Sequence, residues 1–177
     1  MLAALPCAAR AGGRPAEPGA TQKPHVHGAN GVVLLPEHRL IEWQLEELDG
    51  PEFRLSSYRG MVAFVHVFAT WCGPCRSEQP AVVTFASAHP EDTVVIGVDV
   101  GEEDNTVRAY RKQFGIAYPI AMDRYDKKVR SIYRQGRMTF PTTIVFRPDG
   151  MLSCAWAGEA SREWFEYERR VALGTED

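Results

Sequence analysis

Ile41, Trp43 and Leu45 alternate with Glu42, Gln44 and Glu46, the period-two pattern of a half-buried strand. Asp49-Gly50-Pro51 signals a turn and residues 53–55 a second short strand, so the patterned region opens with a β-hairpin. Residues 61–68 read as a buried strand, and residues 93–100, apolar and β-branched apart from Asp99, read as a parallel strand buried on both faces. Between the two runs, Val82, Phe85 and Ala86 recur at helical spacing until His89-Pro90, with Pro80 inside that helix, where it removes one hydrogen bond and kinks the axis. Asp104 or Asn105 is placed to cap a second helix carrying Val107, Tyr110 and Phe114 on one face and closing at Gly115. A strand at 118–121 follows, then a helix capped by Asp126 with Val129, Ile132 and Tyr133, then a loop opening at Gly136. Two β-rich runs, 142–146 and 151–157, flank Arg147-Pro148-Asp149-Gly150 as a hairpin that sets Leu152, Cys154 and Trp156 on one face. Ser161 caps a last helix with Trp164, Phe165 and Val171 on its apolar side.

Strand and helix therefore alternate from about residue 37 to 173, a length suited to one α/β domain. Residues 1–36, rich in Ala, Gly and Pro and without periodicity, read as a disordered tail or linker and as the remnant of an export signal. Within that tail, Cys7 reads as incidental, with a lipid anchor or processed residue as the alternative, and His25 and His27 as solvated rather than as a metal pair. Among 177 residues with a net charge of -3, the basic side chains are dispersed, which excludes a polybasic nucleic-acid surface. No apolar run reaches bilayer-spanning length, and no internal repeat is present.

Four cysteines are too few for a disulfide scaffold in a chain of this length, but Cys72 and Cys75 stand three positions apart at the predicted junction of the strand 61–68 with the following helix. The same spacing supplies half of many zinc sites, yet Cys7 and Cys154 are isolated, so a second half is missing. Redox chemistry is the better account. At a helix start, unpaired amide N–H groups and the positive end of the dipole favour a thiolate on Cys72, while Cys75, one turn in, lies deeper and resolves the mixed disulfide. Cys154 reads as a small packed side chain rather than a third redox thiol.

The chain resembles the thioredoxin fold and, within it, is similar to the exported thiol-disulfide oxidoreductases of the bacterial TlpA, ResA and cytochrome c maturation type. The resemblance runs from about residue 40 to 158 and rests on Phe53-Arg-Leu-Ser-Ser-Tyr-Arg-Gly60, Ala69-Thr-Trp-Cys-Gly-Pro-Cys75, Glu78-Gln-Pro80, Val98-Asp-Val-Gly-Glu102, Phe140-Pro-Thr-Thr143 and Pro148-Asp-Gly150. It implies a central mixed sheet flanked by helices, with a strand and helix inserted before the C-terminal hairpin. It assigns Pro141 the cis proline opposite the cysteines, and Trp71, Gly73, Pro74 and Phe140 the substrate groove. Phe140 departs from the smaller residue usual there and makes the groove narrower or more apolar. Glu102 matches the buried glutamate placed near the cysteine pair, whose raised pKa suits it to exchange a proton with Cys75; the alternative is a solvated loop acid beside Glu103 and Asp104. His66, six residues before Cys72, occupies the strand position of a buried Asp or Asn in relatives, either tuning the thiols or serving as a satisfied core histidine.

The activity implied is disulfide exchange with protein substrates, the Gly73-Pro74 dipeptide favouring a reductase over an oxidant or isomerase. A copper(I) chaperone using Cys72, Cys75 and His66 is the rival of another class. The expected enzyme needs no cofactor beyond its own disulfide and no metal, and binds no nucleic acid. It takes electrons from a membrane or soluble thiol donor and acts as a monomer. Its expected location is periplasmic or otherwise extracytoplasmic, tethered or free, the alternative being cytoplasmic.

Overall fold

The computed structural model describes residues 25–27, 43–50, 52–133 and 138–176. In chain order the elements are β1 (His25–His27), β2 (Gln44–Glu47), β3 (Phe53–Arg54), β4 (Val62–Phe68), α1 (Gly73–Ala88), β5 (Thr93–Val100), α2 (Asp104–Phe114), β6 (Ile120–Asp123), α3 (Lys127–Ser131), β7 (Thr142–Phe146), β8 (Leu152–Ala157) and α4 (Arg162–Leu173). The strands form one mixed sheet in the order β1-β8-β7-β4-β5-β6-β2-β3. β4 lies inside it, parallel to β5 and antiparallel to β7, and every one of its seven residues is buried.

Side-chain alternation along β4 sorts the core into two. Val62, Phe64 and Phe68 pack with Val82 and Phe85 of α1, Val107 and Tyr110 of α2, and Trp164 and Phe165 of α4. Ala63, Val65 and Val67 pack on the opposite face with Leu45, Phe53, Leu55 and Val129. Because side chains two apart share a face, His66 takes the side of Phe64 and Phe68, toward α1. Asp99 of β5 and Thr143 of β7 fall on that side too, two positions from Gly97 and from Val145, whose own partner across β7–β8 is Cys154.

The mixed α/β sheet and the opening hairpin agree with the alternation in the sequence, and β2 buries Leu45 between the exposed Gln44 and Glu46 as its pattern requires. Several details differ. The predicted tail includes β1, which pairs in parallel with β8, His25 standing opposite Cys154; the rest of 1–36, Cys7 included, lies outside the described residues. The strand read at 118–121 is β6, two residues later, because Tyr118-Pro119 leads into it and Gly97 N–H donates to the Pro119 carbonyl. Glu103, not Asp104 or Asn105, is the N-cap of α2, and Asp104 sits in its first turn. Asp126 stands at the N-cap of α3 without capping it by its side chain, while Asp123 Oδ2 accepts from Val129 N–H at 2.7 Å.

Leu152 and Cys154 do not share a face. A β-bulge between Val145 and Phe146 sets Val145 against Cys154 but Phe146 against Leu152, so the extra residue on β8 sends Leu152 to the α3 side and leaves Cys154 on the α1 side. α4 buries Trp164, Phe165, Glu168 and Ala172, with Val171 only half-buried. Among the described residues no helix is long and apolar enough to cross a membrane.

Candidate active site

β4 delivers the chain to the site, and α1 begins on it. Cys72 is the N-cap of α1, with extended backbone, and its sulfur accepts from Cys75 N–H at 3.2 Å. Pro74 fits the first turn because that turn's N–H groups have no intrahelical partner and its ring presets φ. Cys72 and Cys75 are joined by a disulfide, with Cys72 4% and Cys75 0% exposed. Reduction would leave the Cys72 sulfur at the positive end of a 16-residue helix, where a thiolate is favoured.

The turn before Cys72 is clamped on three atoms. Thr70 N–H and Oγ1–H donate to Glu102 Oε2 and Oε1, each at 2.6 Å, and Arg76 Nη1 donates to the Thr70 carbonyl at 3.2 Å. Arg76 is held over the rings of Tyr110 and Phe114 at 5.6 and 5.3 Å. Glu102 is thus half-buried and committed to Thr70, which makes it a support for the cysteine turn rather than the fully buried carboxyl that the resemblance implied. Beneath it, Asp99 Oδ1 accepts from Glu102 N–H at 3.3 Å, and burial, then the neighbouring Glu102 carboxyl, pushes the Asp99 pKa well up. A Glu102→Ala variant is expected to lose both Thr70 hydrogen bonds and about 1–3 kcal/mol of stability. Urea denaturation of the oxidised protein would measure it.

The fully buried glutamate beside the cysteine pair is Glu78, which belongs to the motif behind the resemblance but not to the expected site residues. It is 3% exposed, and its Oε2 accepts from Ala160 N–H at 2.7 Å across the α1–α4 boundary. Burial drives its pKa up to about 8; the Ala160 N–H works against the rise and the nearby Glu159 adds to it. His66, 0% exposed, lies 3.5 Å from Glu78, Nε2 to Oε1, while its Nδ1 is 3.2 Å from Thr143 Oγ1. Burial lowers the His66 pKa to about 4. Both shifts favour the uncharged forms, so the two groups meet as a neutral acid and a neutral imidazole, not as an ion pair. The signal for Glu78 was present in the sequence: Cys75, Glu78, Gln79, Val82 and Phe85 form one buried stripe of α1, with spacings of three, four, seven and ten.

The Phe140–Pro141 peptide is cis, and Pro141 leads directly into β7. Trp71, 69% exposed, meets the Phe140 ring edge-on at 5.8 Å, which ties the proline loop to the cysteine turn. Gly73 and Pro74 are exposed on the rim, and a Cβ at Gly73 would meet nothing within 4 Å. Cys154 is buried in β8 among the α1-side core and is disulfide-bonded, so it is more than the packed thiol its apolar surroundings predicted. Among the described residues no three His, Cys, Asp or Glu side chains gather as a metal site.

Comparison with known proteins agrees with this geometry. Residues 36–154 match the model of the AhpC/TSA family. The chain is 32% identical over 126 residues to the thiol-disulfide oxidoreductase ResA of Geobacillus kaustophilus, covering 71% of each chain. It is 32% identical over 123 residues to ResA of Geobacillus thermodenitrificans, covering 69% of each. Among solved structures it is similar to a thiol:disulfide interchange protein of the thioredoxin family from Chlorobium tepidum, with a TM-score of 0.69 and 28% identity, over 84% of this chain and 100% of that one.

Proposed function

The chain belongs to the AhpC/TSA family and is a thiol-disulfide oxidoreductase acting on protein thiols and disulfides, and from that premise we propose that it works as a reductase with Cys72 as nucleophile and Cys75 as resolving thiol. The observation that carries the assignment of roles is the asymmetry of the pair: Cys72 caps α1 and accepts an amide hydrogen bond, whereas Cys75 is sealed in the core behind it. In the dithiol form, the Cys72 thiolate attacks a substrate disulfide, forming a mixed disulfide and releasing one substrate thiolate. Cys75 then loses its proton and attacks Cys72 Sγ, which closes the intramolecular disulfide and releases the second substrate thiolate. The two electrons come from the cysteines, so the proposed cycle draws on no organic cofactor or metal.

Glu78, three positions beyond Cys75 on the same buried stripe, is the proposed partner for the Cys75 proton. Trp71, Gly73, Pro74, Phe140 and Pro141 form the proposed substrate groove, where an extended substrate segment with apolar side chains beside its cystine fits the Trp71–Phe140 pair. Glu102 supports the turn through Thr70. The copper(I) reading requires His66 to reach the sulfurs, but its two nitrogens face Glu78 and Thr143. The Gly73-Pro74 dipeptide supports the reducing direction and the likeness to ResA an extracytoplasmic site of action; a monomer recharged by a membrane or soluble thiol donor completes the proposed cycle.

Equilibration with glutathione buffers tests the direction. A potential near about -270 mV, that of thioredoxin, supports the reductase, and one near about -120 mV, that of the oxidant DsbA, sinks it. Mixed disulfides trapped by a Cys75→Ser variant in cell fractions would identify substrate and compartment together.

A further inference from the structure

A carboxylic acid that carries its proton is a poor base for Cys75, and burial keeps Glu78 largely in that form at neutral pH. What lies behind it changes that. His66 Nε2 and Glu78 Oε1 are both buried without a hydrogen-bond partner, and they face each other at 3.5 Å. The remaining atoms of both groups are spoken for: Nδ1 by Thr143 Oγ1 at 3.2 Å, Oε2 by Ala160 N–H at 2.7 Å. Two orphaned polar atoms that point at one another in a dry core make a site for one shared proton.

We propose that Glu78 and His66 form a two-group proton relay, in which Glu78 takes the proton of the Cys75 thiol as it passes its own proton from Oε1 to His66 Nε2. The relay rests on the assignment of Cys75 as the resolving thiol. Its balance is complete within the exchange reaction. The Cys75 S–H bond breaks, the proton enters the Glu78 carboxyl, the original Glu78 proton moves to Nε2, and the Cys75 thiolate attacks Cys72 Sγ. The departing substrate thiolate then takes up one proton as the relay returns to its neutral state, so no outside oxidant or base is consumed. For Nε2 to be the acceptor, the neutral ring must carry its hydrogen on Nδ1 and donate it to Thr143 Oγ1, which the 3.2 Å contact permits. His66 acts through Glu78 and is in this sense a positioning residue for the proton.

The groups facing the relay from other elements are few. Glu159, ahead of α4, raises the Glu78 pKa electrostatically. The hydroxyls of Tyr110 on α2 and Tyr118 ahead of β6 feel the Glu78 charge but are held to Gln79, and burial keeps both protonated across the working pH range. Phe68 stacks on the His66 ring at 6.0 Å.

The test loads Cys72 of the reduced protein with thionitrobenzoate as a mixed disulfide and follows the coloured thiolate released by Cys75 in stopped flow from pH 6 to 10. His66→Asn, which keeps a polar group facing Thr143 and Glu78 but no imidazole base, is expected to slow release at pH 7 by about 10²-fold, the scale of general acid–base catalysis, and to converge on wild type once pH ionises Cys75 directly. Glu78→Gln should show the same loss, and the double variant no further loss. Multiplying losses, or a slowing equal at every pH, would overturn the relay. Imidazole ¹⁵N NMR of the wild type and of Glu78→Gln decides the matter even if His66→Asn does not fold. An unprotonated Nε2 whose shift moves on Glu78→Gln supports the relay, and a protonated Nε2 indifferent to that change refutes it. Loss of all exchange in Cys72→Ser together with an unchanged His66→Asn profile would leave the thiol assignment standing and remove only the relay.

Discussion

A Cys72→Ser variant is expected to fall to the uncatalysed background in insulin-disulfide reduction, a loss of about 10³-fold or more, as when a nucleophile is deleted. The serine hydroxyl can cap α1 as the sulfur does, so folding should survive and the loss should be chemical. Cys75→Ser should behave differently. It retains the thiol at the helix terminus, attacks once, and stops with substrate attached, because the second sulfur is missing from the core position that resolves the adduct. Single-turnover consumption of a substrate disulfide, stoichiometric with protein, is the expected readout. If Cys72→Ser still reduces insulin disulfides while Cys75→Ser does not, the roles drawn from burial are reversed.

The oxidised protein is expected to lose about 2 kcal/mol of stability between pH 6.5 and 8 through Glu78 alone. In the unfolded chain the carboxyl titrates near 4.5, and in the folded protein near 8. Between those values the native state holds a proton that the unfolded state has released, so stability falls as pH rises, by about 1.4 kcal/mol per pH unit, and levels off above the folded value. His66 runs the other way. Its pKa drops from 6.5 to about 4, so the unfolded state binds the extra proton and stability rises with pH through that window. The two slopes oppose each other up to pH 6.5, above which His66 no longer offsets the loss from Glu78. Asp99, whose carboxyl is also pushed up by burial, adds a decline of its own. The informative quantity is therefore the difference between wild type and Glu78→Gln, in which Gln keeps an acceptor for Ala160 N–H. Urea titrations at pH 6.5, 7.2 and 8 should show the steeper fall in wild type; parallel pH dependences would mean that Glu78 is ionised in the folded protein.

Glu102 and Glu78 show why a site is harder to read from sequence than a fold. Both are acids close to the cysteine pair, one carried by a loop after β5 and the other by the helix that begins at Cys72. Resemblance selected Glu102, whose carboxylate is occupied by Thr70. The helical stripe through Cys75 and Val82 pointed to Glu78, and only the depth of packing against α4 showed that this stripe buries a carboxyl completely. Leu152 and Cys154 make the same point for strands. Their spacing of two promises a common face, and a bulge, which depends on how β8 meets β7, separates them.

By itself the sequence determined the order of strands and helices, the α/β class, the placement of Cys72 at a helix start and the pairing of redox thiols three residues apart. These are local properties: periodicity, turn residues and helix capping act over a few positions and leave their mark in composition. The tertiary structure decided what lies across space from those thiols. It turned His66 toward Glu78 because strand parity faces His66 to the side of the sheet on which α1 buries Glu78, set the Phe140 ring against Trp71 across 69 residues of chain, and put Thr70 in the grip of Glu102. Such contacts join positions far apart in the chain, and no period in the sequence records them. They arise only when β4 is laid between β5 and β7 and α1 is pressed upon it.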